Sequence, residues 1–311
     1  MEEDDMNGIY TDLASELREL SPEIEGVVEQ TETDNEIEIK RIGILTQNAA
    51  ARIGKAMGRY VTLDARALID RPFELFEAVE RRLCRELRQL IKADIKRSTV
   101  LIVGLGNRDV TPDSLGPRVV EKILVTRHVK EFMPEAFDFE TPGVCAIAPG
   151  VLGVTGVETM DIVKGVVERV HPDCIIAIDS LASRRASRIS TTIQLTDAGI
   201  SPGSGVGNQR AELSYESLGV PVLAIGVPLV VRAATITTDT LALMARETGL
   251  HADEEKLKLL AERVSEKQLD DMIVTPKDID SIVSDMAKII ANSINSALFA
   301  DDLESVKNLI A

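Results

Sequence analysis

Ser98-Thr-Val-Leu-Ile-Val-Gly-Leu-Gly-Asn107, continued by Arg-Asp-Val-Thr-Pro-Asp113-Ser-Leu-Gly-Pro117, is a short apolar run that ends in glycines and then in acids. A second run of the same build is Cys174-Ile-Ile-Ala-Ile-Asp179-Ser-Leu-Ala182. Continuous apolar runs of this length read as strands buried on both faces. Working outward from them, apolar runs alternate with amphipathic helices. Pro72 opens a helix to about Lys92 with Phe73, Phe76, Val79, Leu83, Leu87 and Leu90 on one stripe. A helix is predicted from Leu115 to Val129, a strand at Val144–Ala148, a helix at Glu158–Val170 and a last strand at Pro221–Val231. This order predicts an α/β fold: a mostly parallel, twisted sheet with helices on both faces. Nearer the amino terminus, Thr11–Leu20 reads as a helix, Glu36–Leu45 and Tyr60–Asp64 as strands, and Ala49–Met57 as a short helix. Ile189-Ser-Thr-Thr-Ile-Gln-Leu-Thr196 alternates and reads as an edge or hairpin strand. From Ala233 the pattern is helical over 233–247, 253–263 and 276–298, with a short terminal helix, so 245–311 reads as a helical carboxy-terminal region.

The chain has 311 residues, 44% of them hydrophobic, with no tryptophan and few aromatics, so Ile, Val, Leu, Ala and Met must build the core. A formal net charge of −16 argues against electrostatic binding of nucleic acid or of an anionic membrane. The acidic start, Met-Glu-Glu-Asp-Asp, does not have the form of a signal peptide, and no apolar run is long enough to span a bilayer. A cytoplasmic protein is expected. Cys84, Cys145 and Cys174 are widely spaced without a C-x-x-C, which fits buried free thiols better than disulfides.

Several motifs stop short. Gly104-Leu-Gly-Asn107 lacks the third glycine of a dinucleotide fingerprint, and Asp109 and Asp113 would face the phosphates. Gly203-Ser-Gly-Val-Gly207 has no G-K-[ST] ending. His128, His171 and His251 form no ligand-spaced pair, so no metal site and no cofactor are expected. Ser114 and Ser180 lie outside any G-x-S-x-G. The acids remain. Spacing alone leaves Asp113 open between a helix N-cap and a catalytic acid, and Asp179 between a turn starter and a catalytic acid. Asp109 is a third, more solvated candidate. Chemistry collects at the carboxyl ends of strands in an open α/β sheet, and two acids brought together there can share a proton and activate water.

Thr11-Asp-Leu-Ala-Ser-Glu16, Gly104-Leu-Gly-Asn107, Thr111-Pro-Asp-Ser-Leu-Gly-Pro117, Pro149-Gly-Val-Leu-Gly-Val-Thr-Gly156, Ala177-Ile-Asp-Ser-Leu-Ala-Ser-Arg184 and Gly203-Ser-Gly-Val-Gly-Asn208 together resemble the spore germination proteases. The resemblance runs in order along nearly the whole chain and weakens after about residue 245. It implies a fold similar to that of the hydrogenase maturation proteases. It also implies an atypical aspartic endopeptidase whose catalytic pair matches Asp113 and Asp179, with small acid-soluble spore proteins as substrates in the forespore and spore core. The family is made as a zymogen and prefers an acid before the cut, then a bulky hydrophobe, then alanine. Asp12-Leu13-Ala14 fits, so self-cleavage is expected between Asp12 and Leu13, with 1–12 as propeptide and 13–311 as one peptidase domain; Ile9 departs from the acid the family favours further upstream. The family also implies a homotetramer and activation by falling pH and dehydration. Two other readings share the fold: a nickel-dependent maturation protease, and a non-catalytic binding protein.

Overall fold

The computed structural model describes residues 11–20, 24–70, 72–91, 94–133, 135, 140–201, 211–247 and 272–310. The predicted helix at 253–263 and the glycine-rich stretch beyond Ser201 lie outside them. The strands are β1 (Val27–Asp34), β2 (Ile37–Ile44), β3 (Gly58–Asp64), β4 (Thr99–Gly104), β5 (Gly143–Ile147), β6 (Cys174–Ala182), β7 (Thr192–Thr196), β8 (Val222–Arg232) and β9 (Ile273–Val274). Helices are α1 (Ala14–Leu20), α2 (Gln47–Ile53), α3 (Phe73–Leu90), α4 (Leu115–Val120), α5 (Arg127–Phe132), α6 (Leu152–Thr155), α7 (Thr159–Val170), α8 (Tyr215–Leu218), α9 (Ala233–Glu247), α10 (Ile279–Phe299) and α11 (Leu303–Ile310).

One sheet runs β1-β2-β3-β7-β8-β6-β4-β5, with β9 added to β8. The α/β class is as expected, but the sheet is mixed rather than mostly parallel. Strands β5, β4, β6 and β8 are parallel, whereas β1, β2, β3, β7 and β8 pair antiparallel in succession. The link 183–191 between β6 and β7 carries only one 3-10 turn, Ala186–Arg188. That is too short for the helical crossover that a parallel return requires.

The two faces of the sheet differ. One carries a continuous apolar core in which Ile102, Ile176, Ile178 and Ile225 meet α3, α4 and α10. Val79, Leu83, Leu87 and Leu90 supply the stripe of α3 as predicted. Burying such a side chain stabilises by about 1.5–3 kcal/mol. The other face carries two separate apolar clusters. Leu101, Val103, Ile175 and Ala177 pack under α7, and Ile42, Ile44 and Tyr60 pack under α1 and α2. Between these clusters the face carries polar side chains, Asp179, Gln194 and Thr196 among them, beside Leu181 and Ala224.

The predicted helix Leu115–Val129 is two helices, α4 and α5. Asn295, on α10, explains the break: its Oδ1 accepts from Leu124 N at 3.0 Å and its Nδ2 donates to Lys122 O at 3.0 Å. Thr126 N donates to Val144 O at 2.9 Å. These tertiary partners replace the helical bonds. Strand β7 is interior, between β3 and β8, and all five of its residues are buried, so the edge-strand expectation is corrected. Strand β1 was not expected. It is a largely exposed edge strand joined to β2 through Asn35 and Glu36, both at positive φ.

Candidate active site

The end of β4 is built by close approach. A Cβ on Gly104 would lie 2.3 Å from Gly116 O, so two glycines let α4 seat against the strand. Gly106 has φ +109° and passes so near Asp113 that a Cβ there would lie 2.0 Å from Asp113 O. The turn closes when Asp113 Oδ2 accepts from Asn107 N at 2.8 Å. Asp113 is therefore not the N-cap of α4, a position held by Ser114. Its 3-10 turn, Thr111–Asp113, packs against β6 and β8. Asp109 is exposed, with its N–H on Asn107 Oδ1 at 3.0 Å.

Asp179 lies inside β6 rather than at a turn, because the strand continues to Ala182. It is 5% exposed, and its Oδ1 accepts from Ser180 N at 2.9 Å. Strands β4 and β6 are parallel neighbours, joined beyond their last paired residues by Leu105 N donating to Ile178 O at 2.8 Å. The two acids thus stand toward the carboxyl ends of adjacent strands.

Register gives the direction of the Asp179 side chain. Alternation along β6 puts Ile176 and Ile178 in the α3–α10 core and Asp179 on the opposite face with Ile175 and Ala177. Asp179 is opposite Gly226, Gly226 opposite Gln194, and Gln194 opposite Thr62. One polar row, with a glycine in it, thus crosses β6, β8, β7 and β3 between the two apolar clusters. A cavity of about 520 Å³ opens there, and Asp12, Lys55, Tyr60, Asp179, Gln194 and Thr196 are among its lining residues. Asp113 is not among them.

The segment Thr11–Glu16 is seated at this cavity. Asp12 N donates to Ala182 O at 2.9 Å, and Ala182 N donates to Asp12 Oδ2 at 2.8 Å. Leu13 is fully buried. Gln194 Oε1 accepts from Ala14 N at 2.8 Å, and its Nε2 donates to Asp12 O at 3.1 Å. The buried Glu16 carboxylate accepts from Arg184 N at 2.7 Å and Arg185 N at 2.9 Å, takes the Thr11 hydroxyl, and lies 3.6 Å from the Arg188 guanidinium. Burial lowers the Lys55 pKa, an effect the Asp12 charge partly offsets. Burial also raises the pKa of Tyr60, whose hydroxyl donates to Ala56 O at 2.8 Å. Among the described residues no group of three or more His, Cys, Asp or Glu is arranged to hold a metal ion, and no helix is long and apolar enough to cross a membrane.

Asp12 and Asp179 are thus brought to one cavity, with Leu13 buried in the segment docked there. Asp113 stands at the neighbouring strand end with its carboxylate on the turn it closes. Sequence reasoning missed Gln194, Lys55 and the role of Glu16. For Gln194 the signal was present in the alternation of Thr192–Thr196, whose polar side is buried as well as its apolar side.

A sequence profile described as germination protease matches residues 5–252 and 247–308. The germination protease of Caldanaerobacter subterraneus subsp. tengcongensis is 47% identical over 306 residues, covering 94% of each chain. That of Clostridium perfringens is 43% identical over 312 residues, covering 94% of this chain and 96% of its own. That of Priestia megaterium is 38% identical over 347 residues, covering 93% of each. With a matching profile over most of its length and these identities from end to end, the chain belongs to the germination protease family.

Proposed function

We propose that this chain is a self-processing aspartic endopeptidase, made as a zymogen, that degrades small acid-soluble spore proteins in the spore core during germination. On this reading residues 1–12 are a propeptide removed by a cut between Asp12 and Leu13. The mature chain, 13–311, is one α/β peptidase domain with 245–311 as its helical end, a fold kinship to the hydrogenase maturation proteases, and a homotetrameric assembly. The observation that carries the reading is the cavity whose lining includes both Asp12, from the docked amino-terminal segment, and the buried Asp179.

Asp113 and Asp179 act as a pair. Two close carboxylates cannot both ionise cheaply, so one retains a proton. The ionised acid takes a proton from water as the water oxygen bonds to the Asp12 carbonyl carbon. The protonated acid polarises that carbonyl. The C–N bond then breaks, and the Leu13 nitrogen leaves with a proton. One water is consumed, and a carboxylate and an amine are formed. Support for Asp113 is its turn, which packs against the strand that carries Asp179. Falling pH protonates carboxylates of a chain with net charge −16, weakens its self-repulsion and so lets the propeptide reseat for processing.

The test is incubation of the processed chain with a purified small acid-soluble spore protein. Fragments whose new amino termini follow an acid and begin with a bulky hydrophobe are expected. Substrate that is bound but stays intact refutes the proposal.

A further inference from the structure

The cavity contains a side chain with no part in the aspartate mechanism. Gln194 is 7% exposed and held in the interior strand β7. Its amide engages the docked segment on either side of Leu13, at Asp12 O (3.1 Å) and Ala14 N (2.8 Å). The orientation of that amide follows from the chemistry. Ala14 N–H can only donate, so Oε1 must face it, and Nε2 then faces the Asp12 carbonyl. The Asp12 carbonyl belongs to the Asp12–Leu13 bond. Gln194 and Asp179 rise from the same face of the sheet in one register row, with Gly226 between them and the Leu181 side chain lying over that glycine.

We infer that Gln194 is a positioning residue that grips the peptide across the cut and donates to the carbonyl oxygen that becomes negative when water adds. This rests on the proposed cut between Asp12 and Leu13. The 3.1 Å bond is on the long side for N–H···O, which leaves room for it to shorten as charge develops on the oxygen. The second bond, to Ala14 N, is backbone-directed and sets the register of the bound chain, as a neighbouring strand would. A substrate supplied in trans would be held by the same amide. The loss of one such donor in a water-poor site slows an acyl transfer by roughly 100-fold to 1,000-fold.

The experiment follows first-order self-processing of the full chain by intact mass, as the ratio of variant to wild-type rate at each pH. Gln194→Glu keeps an acceptor for Ala14 N and removes the donor to Asp12 O. About 100-fold slowing is expected where the new carboxyl is ionised, with recovery as pH falls, because a protonated carboxyl donates again. Asp12, Asp179, Lys55, Tyr60 and Glu212 also line the cavity, and the ratio to wild type removes their common contribution. Gln194→Met, of similar length and without polar atoms, should be slow at every pH. A merely structural role would slow processing only where amide exchange in β7 is accelerated as well; wild-type exchange in β7 is expected in both variants. Processing of Gln194→Met at the wild-type rate, still between Asp12 and Leu13, overturns the inference and leaves the proposed function standing. A wild-type chain cut elsewhere fails the proposed function itself, and the inference with it. A measurement that needs no variant is side-chain amide exchange in the uncut chain. One glutamine amide protected at least 100-fold is expected, and solvent-like exchange at every glutamine overturns the inference.

Discussion

Replacing Glu16 with alanine should free the amino-terminal segment without unfolding the domain. The carboxylate holds two backbone donors, Arg184 N at 2.7 Å and Arg185 N at 2.9 Å. Each hydrogen bond to a charged acceptor contributes about 1.5–3 kcal/mol. Arg188 adds little to the loss, because it keeps Glu19 at 2.7 Å and Asp64 at 3.3 Å. The lower bound for the two backbone bonds is therefore about 3 kcal/mol, or roughly 100-fold in the docking equilibrium. That loss falls on the segment alone, since the sheet does not depend on residue 16. Hydrogen exchange at Asp12 N, which donates to Ala182 O, reads the equilibrium directly. About 100-fold faster exchange at Asp12 N is expected, with exchange in β4 and β6 unchanged. Less than threefold acceleration at Asp12 N would refute the claim that the Glu16 contacts hold the segment in the cavity.

Two further outcomes concern the scaffold. The Arg82 and Arg41 guanidinium groups hold Glu32 below its ordinary value of 4.5. Its stabilising contribution is therefore complete above that value and lost as pH falls through the lower folded one. Asp64 and Glu80 are shifted the other way by burial, so their protonation on acidification relieves a cost. Amide protection factors in the β1–β2 hairpin, corrected for the intrinsic pH dependence of exchange, should accordingly stay constant from neutral pH to about 4.5 and fall only below it; loss of protection already at pH 6 would contradict this. Burial pushes the Cys174 thiol up to about 12, so it should resist alkylation at pH 8 in the native chain and react on unfolding. Native-state labelling of Cys174, read by peptide mass, would show that β6 opens.

What could be read from the sequence was what burial dictates residue by residue. Strands β4, β6 and β8 are buried on both faces and so carry unbroken apolar runs, 174–178 in β6 ahead of Asp179, which makes them stand out. The α3 stripe is equally plain. Strand β1 escaped because an exposed edge carries charge and polarity, Val-Val-Glu-Gln-Thr-Glu-Thr-Asp, as a loop does. The alternation in β7 was visible, but the burial of its polar side was not: Thr192, Gln194 and Thr196 are buried along with Ile193 and Leu195. Strand direction was misjudged because apolar runs carry no sign; the short link 183–191 was the one clue. The break between α4 and α5 depends on Asn295, far away in sequence, and no local pattern encodes it. The same holds for the cavity. The contacts of Glu16 with Arg184 and of Ala14 with Gln194 span 168 and 180 positions, so the receptor for the docked segment became visible only on folding.

The central claim is that two acids cut the chain's own segment where it lies. The most direct measurement is the intact mass and amino-terminal sequence of the full chain and its Asp113→Asn and Asp179→Asn variants after mild acid treatment. The wild-type chain should lose 1–12 and begin at Leu13, and each folded variant should keep its full length. Near-normal processing by either variant, or a mature chain that starts elsewhere, would contradict the account.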